Sequence, residues 1–341
     1  MTVNAFAAVE DRTTVADDPS RVAKRSRPRA HRVWQTVGPP VIFVVMLIVV
    51  AALTPAFLGG GGLTIIAASA APILLVALGQ ALVLHIGSID LSNAAIALLG
   101  AILLALTLSS IGPVAPLVIL AIVTVCGALN GLLVAFAQVP SFALTLGTLG
   151  IYSAAALVTS GATTVYVASG GEAVAALYAT GIVGIPLTFW LGVVVAVLLW
   201  AMLRFTRLGL GMTAVGRNES GAIFSAVRTR WIKVIAFSLS GFTAGLAAIT
   251  IIAQAGSASP TGLGSDLLLP AIAAAIVGGT SISGGATNPI NVVFGALTVA
   301  LVPIATAALG IDAQAQSLVY GVVIIAVVAL TMTRTRGSIV K

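Results

Sequence analysis

Apolar residues run along this chain in two long blocks, bounded by three hydrophilic regions. One block covers residues 33–203 and the second covers residues 234–333. A helix needs about 20 apolar residues to cross the hydrocarbon core of a bilayer, so the pattern predicts an all-α integral membrane protein of about ten transmembrane helices. The expected spans are 38–57, 64–86, 92–110, 114–137, 142–160, 182–203, 234–254, 267–283, 289–309 and 316–333.

The basic residues are confined to the three hydrophilic regions. All 16 lysines and arginines lie within residues 12–32, 204–233 or 334–341. Because basic residues near membrane spans mark the cytoplasmic side, both termini and the central loop are predicted to be cytoplasmic. Six crossings in the first block and four in the second fit that orientation, since both numbers are even.

The charge pattern also divides the chain into regions. It predicts a basic, disordered N-terminal tail (1–36), a transmembrane domain (37–333) with a cytoplasmic loop (204–233), and a C-terminal tail (334–341). Only 7% of the residues are charged and the mean hydropathy is +1.17, whereas a soluble domain has about 25% charged residues. The net charge of +7 is explained by topology and by anionic lipid headgroups. Nucleic acid is therefore not an expected partner, and the lipid bilayer is.

Three stretches inside the apolar blocks are poorly suited to a regular helix. They are residues 85–93, 139–148 and 278–285, and each combines glycine or proline with hydroxyl or carboxylate side chains. Irregular backbone at membrane depth is tolerated only where it is buried in protein or lines a wet cavity. Paired broken segments in a transporter point to its pathway. These three stretches are therefore the predicted surroundings of a translocation pathway.

Asp90 is the one acidic residue within the predicted spans and their broken stretches up to residue 203. An ionised aspartate at the centre of a helix costs about 2.5–3.5 kcal/mol on insertion scales, so this side chain must pair, protonate, cap a helix or face water. In one interpretation, Asp90 or Ser92 caps a helix that begins near Asn93. In the other, Asp90 lines the pathway or gates it.

The central loop contains a second candidate element. Residues 214–227 predict a short amphipathic helix entered through a glycine turn, with Asn218 as its N-cap and Glu219 in its first turn. Such a helix either lies on the lipid headgroups or docks into a soluble motor subunit.

The chain lacks the residues for ATP hydrolysis or metal catalysis. A P-loop needs a lysine followed by serine or threonine, but Lys24 and Lys233 precede arginine and valine, and Lys341 ends the sequence. Only His31 and His85 are present, so no His-Glu-x-x-His zinc site exists. No catalytic residue, metal site or cofactor is therefore predicted on this chain.

Several motifs, in order along the chain, resemble one family. They are Gly-Ser-Ile-Asp-Leu-Ser at 87–92, Asn-Gly at 130–131 with Val-Pro-Ser-Phe and Thr-Leu-Gly-Thr at 139–148, Ala-Val-Gly-x-Asn at 214–218, Pro-Ala-Ile-Ala-Ala at 270–274, and Gly-Gly-Thr-Ser-Ile-Ser-Gly-Gly at 278–285. In these motifs the chain resembles the permease subunit of ribose/xylose/galactose-type bacterial ABC sugar importers. It departs from the usual pattern at Gly221, at Ala226-Val227 and at Ala286, which bears on the ATPase partner and the substrate.

The resemblance implies a type II ABC importer-like permease in the bacterial inner membrane. Two permease subunits, a homodimer in the simplest case, form the pathway for a monosaccharide or similar small polar solute. A cytoplasmic ABC ATPase binds ATP and Mg²⁺, and an extracytoplasmic solute-binding protein delivers the cargo. The residues expected to line the pathway are Ser88, Asp90, Ser92, Asn130, Phe142, Thr145, Thr148, Thr280 and Ser281. The residues expected to couple to the ATPase are Gly216, Arg217, Asn218, Glu219, Ala222 and Ala226.

Two other classes compete with this interpretation. A proton-coupled secondary transporter of a small polar solute would use Asp90 or Asp266 as its protonation site. An intramembrane enzyme would need a nucleophile with a base, or a metal site, and the sequence shows neither.

Overall fold

The computed structural model describes residues 29–55, 61–261, 263–312 and 315–331. These residues are predominantly helical, with four very short strands. The helices are α1 (Arg29–Leu53), α2 (Gly62–His85), α3 (Asn93–Ile111), α4 (Ala115–Phe136), α5 (Ser141–Thr159), α6 (Glu172–Ala179), α7 (Leu187–Phe205), α8 (Arg207–Arg217), α9 (Glu219–Phe224), α10 (Thr229–Ala255), α11 (Leu263–Val277), α12 (Pro289–Ala300), α13 (Val302–Ala308) and α14 (Gln316–Thr331). The strands are β1 (Val165–Tyr166), β2 (Gly181–Ile182), β3 (Ile185–Pro186) and β4 (Ser257–Ala258).

The predicted all-α membrane fold is confirmed. In the described residues, seven helical stretches are long and apolar enough to cross a membrane. One of them, Asn93–Phe136, has 44 residues, and a 3₁₀ turn at Gly112–Val114 divides it into α3 and α4. With α3 and α4 counted separately and the shorter apolar helices α11 and α14 added, the predicted number of about ten holds as an approximation.

The first helix begins earlier than predicted. It starts at Arg29 rather than near residue 38. Residues 29–37 contain neither glycine nor proline, and arginine, alanine and glutamine are favourable in helices, so the helix continues from the membrane into the basic region. The rest of the predicted N-terminal tail (1–28) and the predicted C-terminal tail (334–341) lie outside the described residues.

Helices α2 and α10 form the centre of the molecule. In each, 78% of the most apolar window is buried, against 17% in α1 and α5. Helix α10 packs against α2, α3 and α4, and α2 also packs against α11 and α12. Glycines allow α4 and α10 to approach closely. A Cβ on Gly241 of α10 would lie 2.5 Å from the carbonyl oxygen of Val123 in α4. A Cβ on Gly127 of α4 would overlap the carbonyl oxygen of Phe237 in α10.

Three of the irregular stretches among the described residues fall in or beside the predicted ones, and they are called here break 1 (86–92), break 2 (137–140) and break 3 (278–288). Breaks 1 and 3 match two predicted irregular stretches. The third prediction, 139–148, is wrong beyond Pro140, because Ser141 begins α5. The hydroxyl groups that suggested irregular backbone are satisfied within the helix, as where Thr145 donates to the carbonyl of Ser141 at 2.8 Å.

The hydrophilic region between α7 and α10 contains two helices instead of the single one predicted. We call residues 206–228 the central segment. Gly216 is inside α8 rather than in a turn. The chain bends at Asn218, whose extended backbone ends α8 and whose Oδ1 accepts the backbone N–H of Gly221 at 3.1 Å. Asn218 is therefore the N-cap of α9, as predicted, but the helix that it caps is shorter.

A small β-hairpin of β2 and β3 lies at the other end of α7. Strand β2 pairs with β3 and β1 with β4, both antiparallel. Because α7 has 19 residues, and a helix rises 1.5 Å per residue, the β2–β3 hairpin and the central segment are separated by about 28 Å along this helix. The two features therefore belong to opposite ends of the molecule.

Candidate functional site

Asp90 lies at the centre of a buried polar network. Its side chain is 0% exposed. Oδ1 accepts the backbone N–H of Ser92 at 2.9 Å and the Ser92 hydroxyl at 2.6 Å. Oδ2 accepts the hydroxyl of Ser240, on α10, at 2.9 Å. The carboxylate therefore satisfies the backbone N–H of Ser92, just before α3, and ties break 1 to α10, but no side chain caps the first turn of α3.

Two further residues extend the network into α4 and α5. Asn130, also 0% exposed, donates from Nδ2 to the Ser92 hydroxyl at 2.8 Å. Tyr152 donates to the carbonyl of Cys126 at 3.1 Å, and its hydroxyl lies 3.5 Å from Oδ1 of Asn130. Buried polar networks are stable when every member has a partner. This network joins break 1 to three helices.

Helix α5 also holds the main chain of break 1. The hydroxyl of Ser141 accepts the backbone N–H of Ile89, and the hydroxyl of Thr145 accepts that of Leu91, both at 3.1 Å. An irregular segment has unpaired backbone groups, and here serine and threonine side chains satisfy them. Thr148, one turn further, is also buried.

The predicted pathway residues fall into three groups. Asp90, Ser92 and Asn130 share one network, with Thr145 against the same break. Thr280 and Ser281 lie in break 3, where their hydroxyls contact Thr287 at 2.8 Å and Ser283 at 3.0 Å. Phe142 points out of the molecule and is 54% exposed. The third group lies outside the network and outside break 3: besides Phe142 it contains Thr148, which is buried in α5, and Ser88, which lines a cavity.

A polar cavity of about 460 Å³ lies between break 1 and the central segment. Ser88 and Ser141 line one side, and Glu219 and Lys233 line another. Glu219 and Lys233 form an ion pair at 2.6 Å. The cavity thus brings a predicted pathway residue, Ser88, close to a predicted coupling residue, Glu219. Its lining combines the two serine hydroxyls and the ion pair with the guanidinium of Arg230, so it is polar and carries a net positive charge.

The six predicted coupling residues differ in exposure. Arg217, Asn218, Glu219 and Ala226 are exposed and Gly216 is partly buried. Ala222 is only 4% exposed and packs inward with a small apolar cluster of Met212, Val215 and Ile232. Ala222 therefore holds α9 to the rest of the molecule instead of presenting a surface to a partner.

The structure adds residues that sequence reasoning missed. Ser240 is 150 positions from its partner Asp90, and Tyr152 is 22 positions from Asn130, so local patterns gave no signal for either. Phe224 is 91% exposed at the end of α9. The sequence could have indicated this exposed residue, because Phe224 is a large apolar residue in the hydrophilic region 204–233.

Comparison with known proteins identifies related transport components. Residues 62–328 match the family described as branched-chain amino acid transport system / permease component. The chain is 34% identical over 261 residues to the D-allose transport system permease protein AlsC of Escherichia coli K12, covering 75% of this chain and 79% of that protein. No solved structure matches.

A second set of relatives has a different named cargo. The chain is 33% identical over 258 residues to the autoinducer 2 import system permease protein LsrC of Salmonella typhimurium, covering 75% of this chain and 73% of that protein. The LsrC protein of Escherichia coli O157:H7 is similar to the same degree, with 74% of that protein covered. The family match at residues 62–328 includes all three breaks and the central segment.

Proposed function

This chain belongs to the family of transport-system permease components that residues 62–328 match, and from that premise we propose that it imports a monosaccharide or a similar small polar solute. The family description names branched-chain amino acids, so membership alone does not select the cargo. The similar protein AlsC is named for D-allose, a sugar. The polar cavity beside break 1, where Ser88 and Ser141 supply hydroxyl groups, supports a polar cargo.

The predicted assignment to the permeases of ABC importers is confirmed. The chain is a multi-pass membrane protein and a transport component, not an enzyme. We propose that ATP and Mg²⁺ bind to a separate cytoplasmic ATPase, and that an extracytoplasmic solute-binding protein delivers the cargo. A second copy of this chain completes the pathway, and both termini are cytoplasmic.

The observation that carries the proposal is the apolar surface of the central segment. Phe224 is 91% exposed and Ile223 is 56% exposed, on a short helix next to Arg217 and Glu219. A large exposed aromatic side chain rimmed by polar residues is typical of a protein–protein contact. A soluble ATPase that binds the Phe224 side chain would move α9, and α9 forms one wall of the polar cavity through Glu219 and Ile223.

The proposal is tested by transport in proteoliposomes that contain this chain, its ATPase and its binding protein. We expect Phe224→Asp to weaken ATPase binding by about 2 kcal/mol or more, the range of a hot-spot residue, and to abolish ATP-dependent uptake. Val183→Asp is the matched control. Val183 is also 91% exposed but lies in the β2–β3 hairpin at the opposite end of α7, so its substitution leaves ATPase binding unchanged.

Two outcomes would contradict the proposal. If Phe224→Asp bound the ATPase as tightly as the unsubstituted protein, the central segment would not be the docking surface. If the unsubstituted chain took up solute without ATP, driven by a proton gradient, it would be a secondary transporter.

A further inference from the structure

Breaks 1 and 3 and the central segment meet at one point through their backbones. A Cβ built on Gly284, in break 3, would lie 2.5 Å from the carbonyl oxygen of Gly216 and 3.0 Å from Cα of Gly87. A Cβ built on Gly216, in α8, would overlap the carbonyl oxygen of His85 and lie 2.6 Å from the amide nitrogen of Gly285. No ordinary side chain fits at Gly216 or Gly284.

Hydrogen bonds join the same three segments. The backbone N–H of Gly285 donates to the carbonyl of His85, at the end of α2, at 2.8 Å. Nε2 of His85 lies 3.0 Å from the hydroxyl of Thr213 in α8. That hydroxyl donates its one hydrogen to the carbonyl of Gly209 at 2.9 Å. The Thr213 hydroxyl therefore links the side chain of His85 to the backbone of α8.

We propose that this contact, which we call the glycine junction (Gly87, Gly216, Gly284 and Gly285, with His85 and Thr213), transmits movement of the central segment to breaks 1 and 3. Gly216 is thereby a positioning residue for transport, and it acts through the two breaks. This inference rests on the proposed function, in which an ATPase moves the central segment.

The physical reason is the absence of side chains at the junction. Long side chains between two segments change rotamer and absorb small displacements, whereas backbone atoms in direct contact do not. Packed protein interiors transmit strain because they are dense and have few voids. A shift of α8 is therefore passed directly to the chain beside Gly87 and Gly284.

The shift would act on the polar cavity. Residues Ile86, Gly87 and Ser88 of break 1 form one side of the cavity, and Glu219 and Ile223 of α9 form another. The junction lies at the adjoining ends of these two walls. A shift of α8 that the junction passes to break 1 therefore moves the Ile86–Ser88 wall of the cavity, and small shifts at such interfaces are amplified where two arrangements compete.

The experiment measures uptake per ATP hydrolysed in proteoliposomes holding this chain, the ATPase and the binding protein, with ATPase binding recorded separately. We expect Gly216→Ala to retain ATPase binding and ATP hydrolysis but to lower uptake per ATP about tenfold. Substitutions of residues that couple two sites change the coupling by about 2- to 30-fold, which corresponds to about 0.5–2 kcal/mol. Gly211→Ala is the matched control in the same helix. Its Cβ would come close only to Cδ1, the flexible end of the Ile232 side chain, at 2.7 Å, and its next neighbours, in Ile232 and Val227, lie at 3.8 Å.

A milder variant covers the case in which Gly216→Ala does not fold. Thr213→Val keeps the side-chain shape and removes the contact with His85, and we expect it to lower uptake per ATP about threefold. A wild-type ratio in Thr213→Val, or in a folded Gly216→Ala protein, would overturn the inference. Absence of ATP-dependent uptake in the unsubstituted complex would instead overturn the proposed function, so the two failures are distinguishable.

Discussion

At the scale of single residues, Asp90 shows how a carboxylate is accommodated in a membrane protein. It accepts three hydrogen bonds from Ser92 and Ser240. An ionised carboxylate at membrane depth is costly unless such partners replace water. The carboxylate is held by Ser92 and Ser240, but neither Asp90 nor Ser92 caps the first turn of α3 through its side chain. A role of Asp90 in the pathway stays a prediction.

Substitution of Asp90 separates its structural role from proton coupling. We expect Asp90→Ala to lower the free energy of unfolding by about 2–4 kcal/mol, because buried donors lose their acceptor. Asp90→Asn retains an acceptor for Ser92, and we expect a loss below about 1 kcal/mol. Thermal unfolding of the purified proteins measures both changes, with Asp312→Asn, at an exposed position, as the control.

The same variants test the proton-coupled alternative. Asp90→Asn cannot take up and release a proton, so it would abolish transport by a carrier that uses this group. We expect it to retain ATP-driven uptake. Loss of uptake in a stably folded Asp90→Asn protein would favour the carrier.

At the scale of elements, helices α4 and α10 pack with their backbones close together. Gly127 and Gly241 bring the two backbones together, and the same two helices carry Asn130 and Ser240 into the polar network. Without a hydrophobic driving force between helices in lipid, close packing and interhelical hydrogen bonds hold them together. The glycine contact and the polar network therefore support each other.

We expect Gly127→Val to destabilise the fold by about 1–3 kcal/mol, as overpacking in a dense core does, since its side chain would force α4 and α10 apart. Gly147→Val in α5 is the matched control, because a Cβ there would meet nothing within 4 Å. The measurement is the thermal unfolding midpoint in detergent. Equal midpoints for the two variants would show that the α4–α10 contact contributes no special stability.

Sequence reasoning found these elements more easily than it found their contacts. Uninterrupted apolar runs predicted the helices, since a membrane span has a fixed length, and glycine with Asp90 predicted break 1. The hydroxyls of Ser141 and Thr145 were misleading, because that of Thr145 bonds to a carbonyl of its own helix and that of Ser141 accepts the N–H of Ile89 in break 1. The partnership of Asp90 with Ser240 depends on tertiary packing, so no local pattern contained it.

At the scale of the whole molecule, the two ends of α7 differ in charge and in secondary structure. One end has the central segment, with its arginines and the exposed Phe224. The other has the β2–β3 hairpin, with Val183 at its tip. The distribution of basic residues predicts that the first end faces the cytoplasm.

Cysteine labelling tests this orientation. In a Cys126→Ala background, which removes the single native cysteine, we expect a membrane-impermeant maleimide to label Val183→Cys in intact cells. Ser225→Cys, in the central segment, is labelled only in inside-out vesicles, because basic loops remain cytoplasmic. The reverse pattern would invert the proposed topology and place the central segment out of reach of a cytoplasmic ATPase.

The link between Asp90 and Ser240 also has a consequence for biosynthesis. The two residues are 150 positions apart, so at about 5–20 residues per second the ribosome produces Ser240 about 8 to 30 s after Asp90. During that interval the backbone N–H and the hydroxyl of Ser92 can donate to the carboxylate, and once α4 is made Asn130 can donate to the Ser92 hydroxyl. The third donor to the carboxylate, the Ser240 hydroxyl, is still missing. The first half of the molecule therefore enters the bilayer with its central network incomplete, and insertion of α10 is the step that closes it.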